Sequence, residues 1–98
     1  MNKVKKNMKI VINSCHGGFG MSEEGLAMYN QLASKTFKYA DSIPRDCPHL
    51  VEVLMSLGTG ADTVFSRLKI VEVPDDVKWF ISEYDGKEWV SEVHRTWE

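Results

Sequence analysis

The run Asn13-Ser14-Cys15-His16-Gly17-Gly18-Phe19-Gly20 sets an amide, a hydroxyl, a thiol and an imidazole beside three glycines. Glycines let a backbone come close to a ligand, and free N–H groups ahead of a helix favour phosphate or another anion. On this reading the loop, with Asn13 and Ser14 at its start, contacts the phosphate or ribose side of a small ligand, and Phe19 stacks on a base. The same glycines equally serve as a plain turn from strand into helix, with Glu23 and Glu24 already at the positive end of the helix dipole. The spacing matches neither the Gly-x-Gly-x-x-Gly dinucleotide fingerprint nor the Gly-Lys-Ser/Thr ending of the nucleotide P-loop. The loop is therefore a candidate ligand contact without a motif that names the ligand.

Cys15 beside His16 suggests a nucleophilic pair, but neighbours on a strand point to opposite faces, so His49 or His94 would have to reach the sulfur instead. Cys15, His16, Cys47 and His49 number four potential ligands, yet neither pair has the C-x2-C or H-x3-H spacing of a zinc site. No catalytic residue, metal or cofactor is expected, and a small buried thiol is the default reading of either cysteine. Arg45 (in IPRD) and Arg95 (in HRTW) sit in polar segments where a guanidinium can clamp a phosphate or carboxylate in bidentate fashion and balance a ligand's charge. The alternative for each is a surface pair, with Asp46 or Glu92.

The elements that must position these residues follow from pattern. Met1 to Asn7 is a polar, basic arm; residues 8–98 form one domain. Lys9 to Ser14 reads as a strand buried on both faces. Ser22 is placed to cap a helix from Glu23 to about Ser34, with Leu26, Tyr29, Leu32 and Ala33 facing the core. Thr36 to Ala40 reads as a short strand. A second helix is capped by Asp46, carries Pro48 in its first turn, and buries Leu50, Val51, Leu54 and Leu57 before Gly58. Val64, Phe65 and Leu68 suit one more helical turn packed on the sheet, and Leu68 to Val73 is a strand ended by Pro74. Val77 to Tyr84, Asp85-Gly86 and Lys87 to Val93 make a hairpin with a type I′ turn, competing with a terminal helix over 88–94. The fold class is α+β with an α/β-like start: a small mixed sheet, two helices on one face and a C-terminal hairpin.

Hydrophobic residues at 43% and charged residues at 27% are ordinary for a globular chain, which disfavours disorder. The longest apolar runs fall far short of the ~20 residues a membrane-spanning helix needs. A net charge of −2 is too near zero for a general phosphate-backbone binder, so nucleic acid is a poor partner. With two cysteines, no disulfide framework is needed, and a cytoplasmic location is expected. Trp79, Trp89 and Trp97 fall near Phe80 and Tyr84, and a two-stranded hairpin has too little surface to bury aromatics on both faces, so homo-oligomerisation through it is expected.

The segments KIVINSCHGGFGMSEE, IPRDCPHLVEV, LKIVEVPDDVKW and EYDGKEWVSEVHRTW resemble a group of small proteins encoded by bacteriophages and prophages. The resemblance spans residues 8 to 97, departing at Cys47 and at Gly60-Ala61-Asp62. It implies a phage origin and a role against host defence, the class in which some members sequester nucleotide-derived immune signals. The function expected is capture of such a signal, a small anionic nucleotide-like ligand, in the host bacterial cytoplasm without catalysis. The alternative is a protein-binding inhibitor of a host defence or phage-related factor, or a structural module.

Overall fold

The apolar run Ile10-Val11-Ile12 has nothing to offer solvent on either side, and the chain buries all three residues. In the computed structural model, which describes residues 7–74 and 76–93, these residues lie on strand β1 (Asn7–Asn13). β1 pairs antiparallel with β2 (Leu68–Pro74), Ile10 opposite Val71 and Ile12 opposite Lys69. Alternation then divides the ladder into two faces. Val11, Leu68 and Ile70 join the larger core with α1 (Glu23–Ala33) and α2 (Pro48–Leu57). Ile10, Ile12 and Val73 face the other way, against Trp79, Ile81 and Val90 of the hairpin β3 (Trp79–Tyr84) and β4 (Lys87–Glu92). The layers are thus helices, a two-stranded ladder, and a two-stranded hairpin.

The class is α+β with two helices and a C-terminal hairpin, but the strands form two separate antiparallel pairs and not one mixed sheet. The reason lies on the edge of β1 away from β2. At Val11 the N–H donates to the carbonyl of Arg45 at 2.8 Å, and at Asn13 it donates to the Glu88 carboxylate at 2.8 Å. With that edge closed there, the hairpin lies across the face of the ladder.

The helices start and stop for local reasons. Ser22 caps α1 by accepting the Gly25 N–H at 3.0 Å, and Ser34 ends it in the left-handed region at φ 56°. The cap of α2 is Cys47, where the sequence pointed to Asp46, because Pro48 occupies the first helical position and fixes the residue before it as the cap. The strand expected over Thr36 to Ala40 does not form. The Asn30 side chain takes both backbone groups of Phe37 (2.9 and 3.0 Å), and the Phe37 ring stacks on Tyr29 at 5.9 Å. Nor do Val64 and Phe65 pack on the sheet: they are 91% and 69% exposed, in a turn tied by Thr63 and Ser66. The hairpin turn is as expected, with Asp85 at φ 52° and Gly86 at φ 88°. Residues 88–92 are strand, so the helical alternative fails over the described part of that segment. No described helix is long and apolar enough to cross a membrane.

Candidate functional site

The loop after β1 is where three distant segments meet. Asn13 ends the strand fully buried, and its amide donates to the carbonyls of Cys15 and Gly86, both at 2.7 Å, while Oδ1 accepts the Arg67 N–H at 2.8 Å. Those bonds use both of its donors and tie the glycine loop to the hairpin turn and to the start of β2. Ser14 gives its N–H and its hydroxyl to the same carbonyl of Arg67, at 2.7 and 2.9 Å. Asn13 and Ser14 thus close the loop's entrance, because a buried amide must find its partners within the protein.

Beyond them the chain passes through a narrow slot. A Cβ on Gly17 would fall 1.7 Å from the Phe65 carbonyl oxygen, and one on Gly86 only 2.6 Å from the Gly18 nitrogen and the His16 oxygen. Gly18 has open space around it but holds φ 97°, a region L side chains avoid. At the exit, the carbonyl of Gly20 accepts the Ser66 hydroxyl at 2.8 Å. The loop is therefore gripped on one side by residues 63–67 and on the other by the hairpin turn, with His16 Nδ1 3.4 Å from the Asp85 carbonyl. Its outer face stays free: His16 and Gly17 are exposed. Among the described residues, the backbone N–H groups of Gly17, Phe19 and Gly20 have no hydrogen-bond acceptor.

Arg45 reaches the same place from the other end of the core. Its guanidinium makes a bidentate pair with Glu88 (2.6 and 2.9 Å), touches the Val11 carbonyl at 3.3 Å, and lies 3.6 Å from the centroid of the Phe19 ring. Glu88 also holds the Asn13 N–H, so one buried carboxylate joins β1, the Arg45 segment and the hairpin. These contacts place Arg45 and Phe19 against one another. Arg45 is neutralised internally, and Phe19 has the guanidinium over its ring while packing against the helical core, so no base can lie on that face. Arg95 lies outside the described residues.

Sequence reasoning brought Asn13, Phe19 and Arg45 to one locus but missed Glu88, Gly86 and Phe65. Glu88 shares the inward parity of Ile81 and Val90, but so does the exposed Glu83 opposite it, so parity alone does not single out the buried carboxylate that needs a cation. Gly86 was seen only as a turn residue. Phe65 reads from the sequence only as part of a helical turn packed on the sheet, whereas its ring is exposed and its carbonyl abuts Gly17.

The thiols are free, Cys15 Sγ lying 3.3 Å from the Phe65 carbonyl and Cys47 Sγ 3.7 Å from the Tyr29 hydroxyl. Burial, helped by that thiol, pushes the Tyr29 hydroxyl above its ordinary pKa of 10.0. No group of three or more His, Cys, Asp or Glu side chains among the described residues is arranged to hold a metal ion. No protein-family model, curated protein or solved structure matches this chain.

Proposed function

We propose that the chain is a non-catalytic binding protein that captures a small anionic, nucleotide-like ligand on the outer face of the loop from Cys15 to Gly20. The observation that supports this reading is the set of unpartnered N–H groups at Gly17, Phe19 and Gly20, on a loop already held at both ends by Asn13, Ser14 and Ser66. Donors fixed before the ligand arrives lose little entropy on binding, and unpartnered backbone N–H groups suit phosphate oxygens. In this scheme Arg45 acts by holding the loop from behind, Arg95 balances ligand charge, and the exposed Phe65 takes the stacking role first given to Phe19. With the phage resemblance, the ligand is a nucleotide-derived immune signal, and its sequestration in the host bacterial cytoplasm counters defence.

A thermal-shift panel of cyclic and ADP-ribose-derived nucleotides tests this. A ligand at about 100 times its dissociation constant adds ~2.7 kcal/mol. That raises the melting temperature of a domain this size by on the order of 10 °C. The ligand should be recovered intact after heat denaturation; a degraded nucleotide would mean an enzyme.

A second reading rests on a different observation. The outer face of the hairpin exposes Phe80 (48%), Tyr84 (71%) and Trp89 (46%), a set suited to a protein partner or to a homo-oligomer. No shift across the panel, together with a stable protein complex recovered by pull-down, favours that reading.

A further inference from the structure

The edge of β1 that faces away from β2 is closed over only half its length. At Val11 the Arg45 carbonyl closes it, and at Asn13 the Glu88 carboxylate does. By the alternation of an antiparallel strand, the backbone groups of Asn7 and Lys9 point the same way. By the same alternation the Lys9 N–H takes no part in the β1–β2 ladder, and outside that ladder it has no acceptor among the described residues. Beside this open stretch runs an open groove of about 530 Å³, between the strand and the overhanging α2, with Val51, Met55 and Pro48 on its helical wall. Met55 is 69% exposed there. Unpaired strand groups beside an uncovered apolar helix surface are what a missing neighbouring strand leaves behind.

We infer that this groove is filled by the same edge of a second copy, so that two β1 strands pair antiparallel about Met8 into a continuous sheet in the order β2, β1, β1, β2. Charge selects this occupant. The groove carries Asp46 and Glu52 on its α2 side against one cation of its own, Lys9 on the strand side, which also lies 4.0 Å from Glu72 of β2, so its lining keeps an excess of carboxylate. Lys9 shares the parity of Val11, which faces the helices. A two-fold axis perpendicular to the sheet keeps that parity, and so presents the Lys9 of each copy to the Asp46 and Glu52 of the other. The contact is self-complementary, as an isologous dimer requires, and each copy contributes the strand that the other's α2 leaves uncovered. It is separate from the outer face of the hairpin and independent of any nucleotide.

The test is the mass of the full chain in solution by light scattering. Lys9→Pro removes an N–H that takes no part in the β1–β2 ladder, and proline is tolerated at such an edge position. The wild type is expected to be a dimer or a multiple of one, and Lys9→Pro to halve its mass. Glu52→Lys, on the exposed side of α2, should weaken the assembly by setting like charges together, and Lys9→Glu combined with Glu52→Lys should restore it. A wild-type monomer at high micromolar concentration overturns the inference. So does a mass that Lys9→Pro and Glu52→Lys both leave unchanged while Trp89→Ala lowers it, since the interface would then lie on the hairpin.

Discussion

Glu88 accepts both terminal nitrogens of Arg45, at 2.6 and 2.9 Å, with the two side chains only 8% and 19% exposed. The pair joins residues 43 positions apart in sequence, and the carboxylate's bond to the Asn13 N–H extends it to the base of the glycine loop. Removing one member of a buried ion pair strands the other's charge, at a cost of roughly 3–5 kcal/mol. Glu88→Ala should therefore lower the melting temperature by more than about 10 °C. Glu88→Gln, which keeps an acceptor, should lose less. Thermal denaturation of both variants checks this, and a near-neutral Glu88→Ala would remove the pair as the anchor of the loop.

The glycines around the loop should rank by what each lacks room for. Gly86→Ala meets both a positive φ and backbone atoms 2.6 Å away, and Gly17→Ala meets the Phe65 carbonyl, so either should force a backbone shift. Gly18→Ala meets only its φ of 97°, a strain of about 1–3 kcal/mol. Chemical denaturation is expected to place Gly18→Ala as the mildest of the three, with Gly18→Val harsher because its side chain is β-branched. Equal losses at all three positions would contradict the slot.

The two tryptophans of the described hairpin should separate. Trp79 packs on the Ile10, Ile12 and Val73 cluster and donates its indole N–H to Met8 Sδ at 3.1 Å, whereas Trp89 lies on the outer face. Trp79→Ala should cost on the order of 2 kcal/mol or more. Trp89→Ala should leave monomer stability within about 0.5 kcal/mol. If the outer face binds a partner, Trp89→Ala should also reduce that binding. Denaturation of dilute protein, paired with light scattering, distinguishes the two effects.

The raised Tyr29 pKa gives stability a definite pH dependence. The folded protein keeps this proton at a pH where the unfolded chain has begun to lose it. The contribution is thus complete below pH 10.0 and is lost as pH rises through the higher folded value. Tyr29→Phe should be within about 1 kcal/mol of wild type near neutrality, since only a long contact to Cys47 disappears. Above pH 10.0 wild type should lose stability faster than the variant. Parallel curves from urea titrations on both sides of that pH would show that Tyr29 ionisation is not coupled to folding.

Much of the local structure was legible in the sequence because its causes are local. Ser22 precedes an amphipathic stretch, Pro48 opens another, and Asp85-Gly86 supplies the two positive φ values of a tight turn, each decided by residues within a turn of one another. The exceptions arose where a side chain competed for the backbone. Asn30 took both groups of Phe37 and cancelled a strand, and Thr63 with Ser66 made a turn where Val64 and Phe65 suggested helix. The loop from Asn13 to Gly20 was legible as a place but not as an arrangement. Whether Asn13 and Arg45 faced a ligand or the interior depended on Glu88, which lies far along the chain and reaches them only after β4 has packed across β1. The sequence determined which groups at this locus carry charge and hydrogen bonds. Only the tertiary structure decided which are spent on one another, because a buried carboxylate and a guanidinium find each other through packing that short-range patterns do not encode.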